Sequence, residues 1–373
     1  MKQYIDPCKL CYFNTLFNEC HFGSSECEYR HASHTLLAYN RYVQMLKIKQ
    51  TNSDMVKAGN IMDYVCDIIL QNKLYITALQ NGCVAIMNED FVMIEYLQLP
   101  NADIIRCLCK GEENTFAMCL YTDGNKEQRI IKYAITPERK LKEIGSYHYE
   151  SIGKIIKMVS LDKGSYLAAT DLSEYILIKN IEGNLHLTEA KIKTLKPATA
   201  LCYDENKLII GDKDGCIYGY MYQDGMFTQL VTVSTDKTPI VDIKKLSETT
   251  YVILPYKGTI RRLTFDKHLS IAKTLIEVAY ANCLSILGSP SRKGYVAVGT
   301  LNGRVCIHEI TECSEDILTL YGDINPLFTH SSVIKKIFAK TTLGKEEIVV
   351  LGEEEQLHGI KERSAKYNVY DWA

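Results

Sequence analysis

Neither sign of charge prevails in this chain: 43 lysines and arginines stand against 45 aspartates and glutamates, a formal net charge of -2. A basic field that recruits nucleic acid from a distance is thereby excluded, and any RNA contact has to be local. No stretch approaches the ~18 consecutive apolar residues of a membrane span, so a membrane is not among the expected partners. The first dozen residues carry Lys2, Asp6 and Lys9 where a secretory leader needs an uninterrupted apolar segment. The expectation is a soluble protein of the nucleus or cytoplasm. Also missing are Gly-x-x-x-x-Gly-Lys-Ser/Thr, His-Glu-x-x-His and Gly-x-Ser-x-Gly, so phosphate-cradling, zinc-protease and hydrolase-elbow mechanisms lack their anchors. The chain reads as a non-enzyme.

What is present is the making of a sizeable core. The 373 residues are 46% hydrophobic and 24% charged, proportions of a folded protein rather than a disordered one. Fourteen cysteines raise the question of a disulfide framework. Ten of them (Cys66, Cys83, Cys107, Cys109, Cys119, Cys202, Cys216, Cys283, Cys306 and Cys313) are scattered through apolar, strand-like surroundings, where free thiols behave as small hydrophobes. That distribution fits a reducing compartment. The other four, Cys8, Cys11, Cys20 and Cys27, are clustered beside His21, His31 and His34.

Within the cluster, Cys11, Cys20, Cys27 and His31 can supply the four tetrahedral thiolate and imidazole ligands of a structural Zn2+ site. So short a segment cannot build an apolar core, and metal binding supplies most of its folding free energy. Cys8 forms a two-residue knuckle with Cys11 and is an alternative ligand to it; His34 is a rival for His31. The segment Cys20-His-Phe-Gly-Ser-Ser-Glu-Cys27-Glu-Tyr-Arg-His31 resembles the Cys-x-Phe-Gly-x-x-x-Cys-x-Tyr-x-His core of CCCH zinc fingers. The resemblance implies single-stranded RNA as ligand, with bases stacked on aromatic rings. Tyr29 holds the stacking position, and Phe22, Tyr12 and Phe13 extend the surface or form the finger's own small core. Glu19, Glu26 and Glu28 outnumber Lys9 and Arg30 and repel phosphate, which argues for weak RNA binding or for docking on a ribonucleoprotein.

Residues 35–49 place Leu36, Tyr39, Val43 and Leu46 at helical spacing, which predicts a short amphipathic helix, with an edge strand over Val43 to Lys49 as the alternative. Thr51 to Gly59 reads as a linker. From about residue 60 the texture changes to short β-branched and aromatic runs bounded by tight-turn pairs. Tyr75 to Ile86, Leu208 to Gly219, Tyr251 to Ile260 and Tyr295 to Ile307 each read as strand, turn ending in glycine, strand. Weaker copies lie at Thr115 to Ile131, at Tyr166 to Ile178 with a turn near Ser173, and at Glu347 to Ile360 with a turn near Glu354. From Gly82 to Gly124, Ser173 to Gly215, Gly215 to Gly258 and Gly258 to Gly303, the spacing is roughly 42 to 45 residues, the period of a propeller blade. Ile240 to Leu246 and Val333 to Ala339 are expected as inner strands. The ring is expected to be completed by Lys366 to Trp372 or by the region around Val43 to Lys49.

The repeated texture resembles degenerate WD-repeat proteins, although the sole tryptophan is Trp372 and the Trp-Asp dipeptide is absent from every repeat. The fold expectation is therefore mainly β: a seven-bladed WD-repeat-like β-propeller over 60–373, a CCCH zinc finger over 1–34, and a helix and linker over 35–59. The order of finger and propeller is similar to that of plant zinc-finger WD-repeat proteins. It implies an adaptor of RNA metabolism, with RNA or a ribonucleoprotein on the finger and protein partners on the propeller. The alternative is a pure scaffold subunit of a ribosomal, splicing or ubiquitin-ligase assembly with a structural finger. The run Gly352 to Glu355 reads as a solvated acidic turn.

Overall fold

The computed structural model describes residues 41–45, 65–79, 82–89, 93–99, 104–121, 127–150, 153–181, 184–235, 237–265, 269–271, 276–287, 294–302, 305–310, 333–342, 345–355 and 367–372. Strand dominates them. In chain order, β1 (Arg41–Met45) is followed by β2 (Val65–Gln71), β3 (Leu74–Leu79), β4 (Cys83–Met87) and β5 (Met93–Gln98). Next come β6 (Ile104–Lys110), β7 (Thr115–Tyr121), β8 (Glu127–Ile135), β9 (Leu141–Glu150), β10 (Ile155–Ser160), β11 (Tyr166–Thr170), β12 (Tyr175–Ile181) and β13 (Asn184–Glu189). After these lie β14 (Ala198–Asp204), β15 (Lys207–Asp212), β16 (Cys216–Gln223), β17 (Met226–Ser234), β18 (Ile240–Lys245), β19 (Thr250–Pro255), β20 (Lys257–Phe265), β21 (Leu269–Ile271) and β22 (Ile276–Ala279). The last are β23 (Ala281–Leu287), β24 (Gly294–Thr300), β25 (Val305–Ile310), β26 (Val333–Thr342), β27 (Lys345–Glu355) and β28 (Tyr367–Trp372).

Among the described residues these strands form seven antiparallel sheets. Four are simple meanders: β2 to β5, β6 to β9, β10 to β13 and β14 to β17. The fifth is β18-β19-β20, with β21 and β22 set end to end along β20, and the sixth is β23-β24-β25. In the seventh, β26 pairs with β27, whose residues Glu346 to Leu351 pair with β28 while Leu351 to Glu355 pair with β1. Residues 41–45 are thus a strand rather than part of a helix. Of the two segments weighed for the last sheet, residues 367–372 and 43–45 both pair with β27, end to end along it, while 46–49 lie outside the described residues.

Local chemistry explains the hairpins. Gly82, Gly215 and Gly258 sit at the expected turns with φ of 77°, 80° and 117°, a region that costs a β-carbon-bearing residue steric strain. Ser173 takes φ 65° at its turn, where the Thr170 side chain accepts from the N–H groups of Leu172 (3.3 Å) and Glu174 (3.1 Å). In the fourth sheet Asp212 does the same work more strongly. Its Oδ1 accepts from the N–H of Asp214 (2.9 Å) and of Cys216 (2.8 Å), and its Oδ2 from the Tyr218 hydroxyl (2.9 Å). The turns expected at Gly124 and Gly303 lie outside the described residues. Among the described residues the turn expected near Glu354 is not found there: Glu353 and Glu354 continue β27 and pair with Val43 and Tyr42, so the acidic run is strand, not loop.

The core lies between successive sheets. Ile76, Val84 and Ile86 of the first sheet pack with Ile105, Phe116 and Met118 of the second. Cys109, Cys119 and Ile130 of the second pack with Tyr166, Ala168 and Ile178 of the third, and the pattern repeats onward. The middle strands β3, β4, β7, β11 and β19 therefore bury both faces and read as nearly continuous apolar runs, whereas the outer strands β5 and β17 carry repeated exposed positions. Complete burial of each such side chain contributes about 1.5–3 kcal/mol.

The first strands of the sheets (β2, β6, β10, β14, β18, β23 and β26) pack each against the next. The last sheet in turn meets the first: Lys336 of β26 pairs with Asp67 of β2 at 3.4 Å, and the ring of Phe338 lies edge-on to Tyr75 with centroids 5.6 Å apart. The succession of sheets closes on itself.

Candidate functional site

All the residues to which sequence assigns chemistry in the finger (Cys11, Cys20, Cys27 and His31 for zinc; Tyr29, Phe22, Tyr12 and Phe13 for RNA) lie outside the described residues. Among the described residues no group of three or more His, Cys, Asp or Glu side chains is arranged to hold a metal. The thiols at Cys83, Cys107, Cys109, Cys119 and Cys283 are buried and take part in no disulfide, as expected of the scattered cysteines.

Chemistry does collect where the seven first strands meet. Each of them carries a bulge at the same point, one extra residue unmatched by its neighbour: Cys66, Arg106, Ile156, Thr199, Val241, Asn282 and Lys335. A bulge bends its strand and re-aims the side chains that follow. The next residues are Asp67, Cys107, Lys157, Ala200, Asp242, Cys283 and Lys336, so one structural level carries the order Asp, Cys, Lys, Ala, Asp, Cys, Lys. The run of the first three sheets recurs in the last three.

The two aspartates are built alike. Asp67 Oδ1 accepts from the N–H of Ile68 (2.8 Å) and Oδ2 from that of Leu108 in the next sheet (2.9 Å). Asp242 Oδ1 accepts from Ile243 N–H (2.9 Å) and Oδ2 from Leu284 N–H in the next sheet (3.2 Å). Each carboxylate thereby ties its own strand to the neighbouring sheet. Two bulge residues act similarly: the Thr199 hydroxyl donates to Ile240 O at 2.5 Å, and the Asn282 amide donates to Ile334 O at 2.6 Å.

The lysines respond to these charges. Lys336 sits 3.4 Å from Asp67, and that carboxylate raises its pKa despite the loss of hydration around it. Lys244, two residues past Asp242, lies 3.2 Å from it. Lys157 differs. Desolvation, and after it the positive charge of Lys336, lower its pKa, while Asp67, Asp242 and Cys107 act in the opposite direction.

The thiols at this level, Cys107 and Cys283, and Cys202 just past it are held toward the protonated form. Burial pushes Cys202 and Cys283 up to about 12, and a hydrogen bond with Cys119 together with burial raises Cys107. A thiol that stays protonated is a poor nucleophile, so the cluster is not arranged for covalent thiol catalysis. Sequence reading missed this level, although a signal exists: an aliphatic or small residue, any residue, then Asp, Cys, Lys or Ala, then an aliphatic one, as in Ile240-Val-Asp242-Ile and Ala281-Asn-Cys283-Leu.

No protein-family model and no curated protein sequence matches the chain. Solved structures do resemble it. The computationally designed Ika8 protein superposes with a TM-score of 0.52 at 10% identity, covering 86% of this chain and 100% of that one. The β-propeller domain of Cps50 (Swd1) from Myceliophteria thermophila superposes with a TM-score of 0.56 at 10% identity, covering 79% of this chain and 97% of that one. At such identity the likeness establishes the fold alone: the chain is mainly β, with repeated four-stranded antiparallel sheets that resemble the blades of a β-propeller.

Proposed function

We propose that this protein is a non-catalytic scaffold, a seven-bladed propeller that offers its faces and rim to protein partners. The observation that carries the reading is the closed succession of sheets, with Asp67, Asp242, Thr199 and Asn282 spent on fastening one sheet to the next. Side chains used as fasteners hold a rigid platform, and rigid platforms lose little conformational entropy when a partner binds. The raised thiol pKa values and the lack of the usual hydrolase and nucleotide motifs support the same reading.

A second part of the proposal rests on the spacing of Cys11, Cys20, Cys27 and His31, which suits a CCCH finger holding one Zn2+. We assign that finger to local contact with single-stranded RNA or a ribonucleoprotein, with Tyr29 as the stacking ring. The deciding experiment is affinity purification of the full chain and of a Cys27→Ser, His31→Ala variant, with co-purifying protein and RNA both identified. The scaffold reading expects a defined set of proteins on both chains. The finger reading expects one equivalent of zinc by elemental analysis, and zinc and RNA lost together in the variant. RNA recovered equally on both chains overturns the finger's role, and the absence of any stable protein complex overturns the scaffold.

A further inference from the structure

We propose that Tyr203, Tyr222 and Phe227, in a row across one end of the fourth sheet, receive a proline-rich segment of a partner protein whose basic side chain settles on the Asp162 carboxylate. The inference rests on the scaffold reading and gives it one place and one class of partner.

The row follows from the pairing register. Tyr203 of β14 pairs with Leu208, Leu208 with Tyr220, and Tyr222 with Phe227, so these side chains share the face of the sheet that packs on the third sheet. Leu208 and Tyr220 are buried in that core, whereas the three rings nearest the turns keep part of their surface open. On β15 the place opposite Tyr222 is taken by Asn206, whose carbonyl accepts from Tyr222 N–H at 2.7 Å. The Tyr222 and Phe227 rings stack with centroids 4.6 Å apart, and Tyr203 meets Tyr222 edge-on at 6.1 Å. Such a row is close in length to the ~9 Å of one three-residue turn of polyproline II helix.

Two features select the occupant. Proline rings pack on aromatic faces, and a polyproline II segment has no internal hydrogen bonds, so its carbonyls take donors from outside. Among the described residues the Tyr222 hydroxyl has no hydrogen-bond partner and is such a donor. The second feature is charge. The Tyr203 hydroxyl donates to Asp162 Oδ2 at 2.7 Å, which fixes an exposed carboxylate of the β10–β11 connection beside the rings. Among the described residues no lysine or arginine nitrogen lies within 4 Å of it: Lys245 is held by Asp204 and Glu205, at 2.6 and 3.4 Å, and Lys207 donates to Glu248 O at 3.2 Å. A cation brought by the partner meets both this carboxylate and the ring faces. A phosphate backbone laid on the same rings is repelled by Asp162, which favours a basic peptide over RNA at this place.

The test uses the full chain and the fluorescence anisotropy of a labelled oligoproline ending in arginine. Beside it stand the same peptide ending in glutamate, a glycine-serine peptide ending in arginine, and oligouridylate. The arginine-ended oligoproline is expected to bind saturably and at least ~5-fold more tightly than the other three. Tyr222→Ala is expected to weaken it about tenfold and Tyr222→Phe, which removes the hydroxyl alone, about 2–5-fold. Asp162→Asn keeps an acceptor for Tyr203 and is expected to remove most of the advantage over the glutamate-ended form. Far-ultraviolet circular dichroism verifies the fold of each variant. No saturable binding, equal binding of the glycine-serine peptide, tighter binding of oligouridylate, or an affinity unchanged in both Tyr222→Ala and Asp162→Asn overturns the proposal. A scaffold whose rings ignore the oligoproline still retains its co-purifying proteins, so failure here is distinguishable from failure of the scaffold reading.

Discussion

Asp212 shows how much one side chain carries here. It is fully buried, and burial raises its pKa, while the hydrogen bonds donated by Cys216, Tyr218 and Asp214 oppose that rise by favouring the carboxylate. Asp212→Ala strands those donors, and unfolding in urea is expected to show a loss of about 2–4 kcal/mol. Asp212→Asn keeps an acceptor and should lose less. The buried thiols give a pH dependence. Cys202 and Cys283 ionise near pH 9 when unfolded and near 12 when folded, so the folded chain holds its protons longer. Their contribution is fully present below about pH 9 and is lost as pH rises toward 12, about 3 kcal/mol for each thiol by pH 11. Lys336, raised by Asp67, acts in the same direction. Denaturation midpoints should fall between pH 9 and 11, and the double variant Cys202→Ala, Cys283→Ala should fall less. At this scale sequence reading told that cysteines such as Cys83 and Cys107 are buried and outside any disulfide. It did not tell that Asp67 and Lys336 meet, because 269 residues separate them and only closure of the fold brings them together.

At the scale of elements, the glycines of the second strands are tightly placed. A β-carbon on Gly211 would stand 2.5 Å from Ile240 Cβ and Cγ2, and one on Gly299 would collide with Ile334 Cγ2 and Cys283 Sγ. The two sites are equivalent, since Gly211 pairs with Ala200 and Gly299 with Cys283 directly after the bulges. Gly211→Ala and Gly299→Ala are each expected to cost about 1–3 kcal/mol of stability in the same urea assay, because overpacking forces the neighbouring strand to move. For β1, Val43→Pro breaks its ladder with Glu353, and faster amide hydrogen exchange over Leu351 to Glu355 is the expected sign. Hairpins were legible because their turns need positive φ and their strands lie close in sequence: Tyr251 to Ile260 and Leu208 to Gly219 became β19-β20 and β15-β16. The strand at 41–45 was harder. Leu36, Tyr39, Val43 and Leu46 fit a helical period, and pairing with β27, some 300 residues away, overrides that local preference. The same distance hid the strand character of Glu353 and Glu354.

For the whole molecule, the contacts between first and last sheets make closure a measurable quantity. Asp67→Asn and Lys336→Met should couple in a double-mutant cycle by about 1 kcal/mol, a modest value because Lys336 keeps 36% of its side chain exposed. Tyr75 and Phe338, edge-on at 5.6 Å, should couple by about 0.5–1.5 kcal/mol in the parallel cycle. Coupling indistinguishable from zero in both cycles would mean that the first and last sheets do not meet in solution. The seam where β27 receives β1 also has a temporal side. Its two partners are about 300 residues apart in the order of synthesis, and at roughly 5–20 residues per second β1 leaves the ribosome some 15–60 s before the strand it joins. During that interval the backbone amides of β1 lack the strand that later satisfies them, so this seam waits for a partner that synthesis supplies only near the end of the chain.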